Sequence, residues 1–237
     1  MKAVVLEKSC KPEEMEIKEI PIPEVKPGWV LVKVKAFGLN HSEILLRRFE
    51  VDEDYINKPI VPGIECVGEV SDKSDSDLEN GDTVVALMGG MGRSFNGSYE
   101  EYALLPRKNV FKVKTNLHLE QLASIPETYF TAYGSLFECM QIKANETVLI
   151  KAGTSALGIA SIQMAKAIGC HVLTTATSEK HIDFLTSIGA DRVYIDNGTN
   201  LYDEVMLDFP EGVNSILELI GAKTIRESLK MVCKNGI

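Results

Sequence analysis

Residues 147–169 constrain this chain more than any other stretch. They read Thr147-Val-Leu-Ile-Lys151, then Ala152-Gly-Thr-Ser-Ala-Leu-Gly158, then an apolar run that stops at Gly169. Val148, Leu149 and Ile150 in succession suit a strand covered on both faces, as in a parallel sheet. The small residues that follow let the backbone turn sharply and approach a ligand closely. A helix opens there, so its unpaired N–H groups and the positive end of its dipole face whatever lies in the turn. That geometry binds a pyrophosphate. The usual dinucleotide signature is G-x-G-x-x-G, and here only Gly153 and Gly158 are glycines. Ala152, Ser155 and Ala156 are small enough for the same turn, and Thr154 and Ser155 add hydroxyl donors. Taken alone, the loop would serve an ordinary strand-to-helix turn equally well.

Its surroundings favour the nucleotide reading. Strands and helices alternate downstream, with expected strands at 171–175, 192–195 and 214–220. Expected helices start at Ser178, lie near 202–207, and cover 224–234 with Ile225, Leu229 and Val232 on the inner face. This alternation predicts a doubly wound parallel sheet with right-handed crossovers. Only four strands are counted, where a complete dinucleotide domain has about six. Asn235-Gly236-Ile237 reads as a helix cap leading into a fifth strand, so the expectation is a fragment of a longer protein. Apolar surface left open by missing strands would favour a homodimer.

Residues before about 120 have a different texture. Short apolar or alternating runs at 3–6, 15–20, 30–35, 66–70, 82–87 and 99–105 are separated by Pro-, Gly- and Asp-rich turns. That spacing predicts a β-barrel or sandwich. Helical spacing begins near Leu119, with Pro126 dividing 122–125 from 129–140.

The net charge of −9 argues against nucleic acid or an anionic membrane as partner, since both require concentrated Lys and Arg. No apolar run approaches spanning length, and Glu7 and Lys8 follow Met1-Lys-Ala-Val-Val-Leu at once, unlike a signal peptide. The five cysteines show no C-x-x-C pair, and four of them read as small buried hydrophobes, which fits a cytoplasmic location.

Together these pieces resemble the medium-chain dehydrogenase/reductase superfamily, and within it the zinc-free quinone oxidoreductase (zeta-crystallin-like) branch. The likeness rests on Gly38-Leu-Asn40-His-Ser-Glu43 with Arg47, on Pro62-Gly-Ile-Glu-Cys-Val-Gly-Glu-Val70, and on Gly81-Asp-Thr-Val-Val85. It continues through Gly97-Ser-Tyr-Glu-Glu-Tyr-Ala103, Thr131-Ala-Tyr133, the loop at 152–158, Ile188-Gly-Ala-Asp191 and Ile220-Gly221. It implies an α/β protein with a GroES-like β-barrel over residues 1–121, then the N-terminal part of a Rossmann doubly wound sheet over 122–237. A nicotinamide is expected in the cleft between them.

In zinc members of the superfamily a Cys stands where Asn40 is and a His where Ile64 is. Neither Asn nor Ile supplies a thiolate or imidazole, so no catalytic metal is expected. His41, His118, His171 and His181 are isolated in sequence. The resemblance also implies cofactor contacts from Thr131, Gly153, Thr154, Ser155, Ala156, Leu157, Thr175, Ser178, Lys180, Ile220 and Gly221. The end of the second strand, Thr174-Thr-Ala-Thr-Ser178, holds no acid to accept from a ribose 2′-OH, which favours NADPH over NADH. Ser178 and Lys180 could meet a 2′-phosphate; otherwise they are an N-cap and a solvated lysine. Asp196 stands where some relatives carry a Tyr facing that phosphate.

Asn40 is the candidate donor to a substrate carbonyl that gains negative charge. A helix cap is the alternative role for Asn40, and Glu43 and Arg47, four apart, could simply pair. Tyr55 is a further candidate as proton donor. The expected activity is metal-free hydride transfer from NADPH to a small-molecule acceptor, a quinone or α,β-unsaturated carbonyl. Alternatives are a zinc-free alcohol or enoyl-thioester reductase of the same superfamily, and a nucleotide-binding structural or regulatory protein with little catalysis.

Overall fold

Alternation of apolar and polar residues builds the first half of the molecule. The computed structural model describes residues 1–237, which divide into compact units at Met1–Glu127 and Thr128–Ile237. In the first unit β1 (Lys2–Val4) pairs antiparallel with β2 (Ile17–Glu19). The main sheet holds β3 (Trp29–Ala36), β4 (Glu65–Asp72), β5 (Thr83–Leu87), β6 (Tyr102–Pro106) and β7 (Val110–Lys112). Its order is β6-β3-β4-β5-β7, antiparallel throughout. Val30, Val32, Cys66, Val70, Val84, Ala86, Ala103 and Leu105 form its core. Register shifts between β3 and β4 bend the sheet, and isolated bridges Ala3–Glu100 and Leu6–Ile60 tie the amino-terminal ribbon to it. Between β3 and β4 runs α1 (His41–Arg48). After β7 come α2 (Leu119–Ala123) and α3 (Pro126–Tyr133), with Pro126 opening α3.

The helical run expected to Met140 is not uniform: residues 134–139 form a π-helical turn. The second unit then builds a four-stranded parallel sheet from β8 (Thr147–Ile150), β9 (His171–Ala176), β10 (Arg192–Ile195) and β11 (Ser215–Leu217), in the order β10-β9-β8-β11. Helices α4 (Ala156–Ala167), α5 (Ile182–Ser187), α6 (Leu201–Asp208) and α7 (Ile225–Met231) connect or follow these strands. Val148 and Ile150 pack on one face with Ile162, Val172 and Leu185, while Leu149 packs on the other with Leu173, Tyr194, Val205 and Met231. Burial on both faces is what an uninterrupted apolar strand requires.

Three expectations are corrected here. The fourth strand ends at Leu217, not 220, because the Glu218 carboxylate accepts the N–H groups of Ile220 (2.7 Å) and Gly221 (3.1 Å) and folds the chain into a turn. Helix α7 buries Ser228 and Met231, whereas Leu229 is 67% exposed and Ile225 also faces out; Val232 has left the helix with extended geometry. The expected set of four buried cysteines reduces to Cys66 and Cys170, with Cys10 and Cys233 half-buried and Cys139 exposed. Ile237 lies alongside β11, its N–H donating to Asn214 O (3.0 Å) and its carbonyl accepting from Ile216 (2.8 Å).

Candidate functional site

In the first unit the groups of interest gather around Asn40, where β3 gives way to α1. Its Nδ2 donates to Glu65 Oε1 at 2.9 Å, and its backbone N–H donates to Glu43 Oε2 at 2.6 Å. Glu43 Oε1 also accepts from Ile64 N (3.2 Å), and Glu65 Oε2 from Glu127 N (2.8 Å). Both carboxylates are buried, and burial raises both pKa values above the ordinary range although the N–H donors pull the other way. A Cβ on Gly38 would collide with Glu65 Oε1, so a glycine there is what lets this carboxylate reach Asn40. Tyr99 stacks on Phe37 with ring centroids 4.5 Å apart, and burial, reinforced by Glu43 and Glu65, keeps its phenol protonated. A pocket of about 360 Å³ opens beside them, lined by Leu6, Met15, Asn40, Glu43, Pro62 and Tyr99 among others.

This geometry revises two sequence readings. Glu43 and Arg47 do not pair; Glu43 closes the first turn of α1, and the Arg47 guanidinium donates to the Cys10 carbonyl. Asn40 does stand at the helix N-cap, but its amide nitrogen points to Glu65. One of the two amide hydrogens is committed there, and the Asn40 side chain also interacts with Glu43, helping to pull that carboxyl's pKa down. Tyr55 lies on the surface, 61% exposed, and is not among the residues lining the pocket. Glu65, Tyr99 and Gly38 were given no role from sequence, although each sits inside a motif that carries the family likeness, at 62–70, 97–103 and 38–43.

In the second unit the loop after β8 is shaped by contacts that leave no room for side chains at two positions. A Cβ on Gly153 would strike Thr174 Oγ1, and one on Gly158 the Ala152 carbonyl oxygen. Gly153 N–H donates to Thr175 O (2.9 Å) and Ala152 N–H to Thr175 Oγ1 (3.0 Å). Thr175 therefore holds the loop in shape. The Ser155 hydroxyl, expected as a free donor, is already used: it donates to Ala152 O (2.8 Å) and accepts from Gly158 N (3.0 Å) as the N-cap of α4. The N–H groups of Ala156 and Leu157 have no acceptor in the fold, and Thr154, Ser155 and Ala156 are exposed. These amides, at the head of a twelve-residue helix, present two unmatched donors and the positive end of the helix dipole to the loop.

The remaining nucleotide candidates follow from there. Ser178 makes no cap hydrogen bond, because a 3-10 turn at Glu179–His181 precedes α5 where a regular helix was expected. Lys180 is exposed and forms no ion pair. Ile220 is exposed, and Gly221, with φ of 102°, faces open space. The Thr131 carbonyl accepts the Ser135 hydroxyl at 2.8 Å within the helical segment. Sequence reasoning passed over Lys151, a fully buried lysine at the end of β8 with Glu218, Asp196 and Glu227 around it. A lysine closing an otherwise apolar strand was the available signal. Burial works against ionisation of Glu218, but donors from Ser228, Gly221 and Ile220 outweigh it and hold its pKa below the ordinary value.

Residues 26–115 match the alcohol dehydrogenase GroES-like domain, and residues 156–237 match the zinc-binding dehydrogenase family. The chain is 30% identical to the quinone oxidoreductase of Homo sapiens, an alignment that covers all of this chain and 71% of that protein. Among solved structures, an NAD-dependent alcohol dehydrogenase gives a TM-score of 0.91 at 28% identity, covering all of this chain and 76% of that one. The quinone oxidoreductase from Coxiella burnetii gives 0.86 at 26% identity, covering all of this chain and 74% of that one.

The second family description raises the question of zinc, which donor chemistry addresses. Asn40 and Ile64 offer neither thiolate nor imidazole. The Cys66 thiol is buried and pushed up to about 12 by that burial and by the carboxylates of Glu65 and Glu100. Glu43 and Glu65 already accept two N–H donors each, and no three His, Cys, Asp or Glu side chains converge as metal ligands would. This donor set does not fit a catalytic zinc. The glycine-lined loop, by contrast, fits the pyrophosphate of a dinucleotide.

Proposed function

This chain belongs to the medium-chain dehydrogenase/reductase superfamily, and on that premise we propose a metal-free oxidoreductase that passes hydride from NADPH to a quinone or α,β-unsaturated carbonyl. Hydride transfer is the chemistry a bound nicotinamide would supply. The contribution of this chain's own residues is binding, orientation and electrostatics. The observation that carries the reading is the cradle at 152–158, where Gly153 and Gly158 admit no Cβ and the Ala156 and Leu157 amides lack acceptors.

Asn40 is the residue assigned to the acceptor. Its amide N–H would donate to the oxygen that gains charge, and a donor fixed in place before reaction lowers the barrier without reorganisation. Glu65 fixes that amide, so Glu65 is a positioning residue. The pocket beside Asn40 presents Leu6, Met15, Pro62 and Tyr99, an apolar lining suited to a flat conjugated acceptor. The NADPH preference rests on the lack of an acid in 174–178 and on the unpaired Lys180 beside Ser178. A zinc-free alcohol reductase is the second reading, supported by the likeness to the solved NAD-dependent alcohol dehydrogenase.

Turnover of NADPH with 1,4-benzoquinone, an enone and an enoyl thioester tests this directly. Quinone or enone reduction is expected, with Asn40→Ala lowering kcat/KM by about 10²-fold while NADPH affinity holds. NADPH binding with no oxidation across the three acceptors would instead indicate a nucleotide-binding protein without this activity. Lys180→Ala should reduce the preference for NADPH over NADH; an unchanged ratio removes the role given to that residue.

A further inference from the structure

At the carboxyl edge of the parallel sheet one cation is sealed inside the fold. Lys151 follows β8 directly and is fully buried, and its Nζ has no hydrogen-bond partner. Its nearest counter-charges are Glu218 Oε2 at 3.6 Å, Asp196 Oδ2 at 3.7 Å and Glu227 Oε2 at 3.9 Å. The three acids differ in what else they do. Glu218 is tied by Ile220, Gly221 and Ser228, and Glu227 is partly in solvent. Asp196 accepts from Gly198 N through Oδ1, but its buried Oδ2 has no hydrogen-bond donor at all.

Asp196 also stands in a telling place. Its N–H donates to the Ala176 carbonyl at 2.9 Å, which fixes it beside the end of β9 and next to Thr177 and Ser178. In a doubly wound sheet the end of the second strand is where the adenosine ribose is read, and a carboxylate there accepts a 2′-OH and repels a 2′-phosphate. The sequence of β9 carries no such acid, yet the neighbouring strand delivers one to the same edge.

We propose that Lys151 sets nucleotide specificity as a positioning residue: it holds the Asp196 carboxylate turned into the protein, offsets its charge, and so lets the end of β9 admit a 2′-phosphate. The inference rests on the NADPH reading above. Because the pair is excluded from water, salt screens it little. Uncompensated, a like charge a few ångströms from a phosphate costs about tenfold in affinity.

The probes are 2′,5′-ADP and 5′-AMP, which differ only in the 2′-phosphate, titrated calorimetrically onto the full chain. Wild type is expected to bind 2′,5′-ADP more tightly. Lys151→Met should lose about tenfold for 2′,5′-ADP and less than about twofold for 5′-AMP, and adding Asp196→Asn should restore the loss. Equal losses for both probes, or no restoration, overturn the proposal. The double variant decides the matter if Lys151→Met does not fold: with both charges removed, 2′,5′-ADP affinity is expected within about twofold of wild type, and a tenfold loss would mean that Lys151 acts on the nucleotide other than through Asp196. Wild type that binds neither probe overturns the nucleotide reading itself, whereas wild type that prefers 2′,5′-ADP and keeps that preference in Lys151→Met overturns only this inference.

Discussion

In the barrel unit the buried carboxylates of Glu43 and Glu65 each accept two N–H donors, whereas the buried lysine of the sheet unit reaches no acceptor within hydrogen-bonding distance. Hydrogen bonds are directional, so the first arrangement fixes where an amide points to within a few tenths of an ångström. The second is held by the summed field of three acids, which restrains a charge without aiming it. The barrel network suits a group that must face one reacting atom. The lysine cluster suits a charge balance that tunes which nucleotide is tolerated.

The largest test of that contrast removes the cation. Lys151→Met leaves Asp196 and Glu218 without their shared counter-charge, and loss of one partner from a buried ion cluster costs about 3–5 kcal/mol. Urea unfolding measures it, and a loss below about 1 kcal/mol would show that the field holds nothing.

The next test uses Glu100, the barrel carboxylate that breaks the unit's own pattern. It is 5% exposed, neither oxygen has a donor, and burial pushes its pKa up to about 8. The folded protein therefore binds a proton that the unfolded chain releases above its ordinary value near 4.5. Stability attributable to this residue is complete below that value and declines as pH rises to about 8. Glu100→Gln should match wild type at acid pH and exceed it by roughly 5 kcal/mol above the folded-state value, judged by paired denaturation curves. Parallel curves across the range would refute an uncompensated carboxyl.

A smaller effect is expected from Glu65→Gln, which keeps the shape but sets an amide against the Asn40 amide or the Glu127 N–H. Leaving one buried donor unmatched costs about 1–3 kcal/mol. Acceptor turnover should fall with it while NADPH affinity does not, and equal losses in both would deny Glu65 its positioning role. The smallest effect is a gain. Ala152 has φ of 55°, a left-handed conformation that suits glycine, so Ala152→Gly should stabilise by about 0.5–1 kcal/mol, read from the melting temperature.

The two regions also differed in how plainly the sequence announced them. A strand covered on both faces leaves an unbroken apolar run, so β8 and the turn after it could be placed from Val148, Leu149 and Ile150 alone. Helix α7 carries two apolar stripes, and Ile225 and Leu229, four apart, looked like the inner one. The Ser228 hydroxyl donates to Glu218 at 2.6 Å and so turns Met231 inward instead, a constraint invisible to hydrophobic periodicity. The barrel network was harder still. Glu65 meets Asn40 across 25 positions and Glu127 across 62, and nothing local signals such pairings. Ser155 illustrates the opposite error, since a serine opening a helix caps it before it serves any ligand.

Gly38 carries no functional group, yet Glu65 occupies the volume a methyl would need there. Any side chain at 38 would displace that carboxylate and rotate the amide of Asn40 with it. In a saturation mutagenesis screen scored on turnover, position 38 should therefore prove as intolerant as position 40, and the few tolerated replacements should arise only together with a shorter residue at 65.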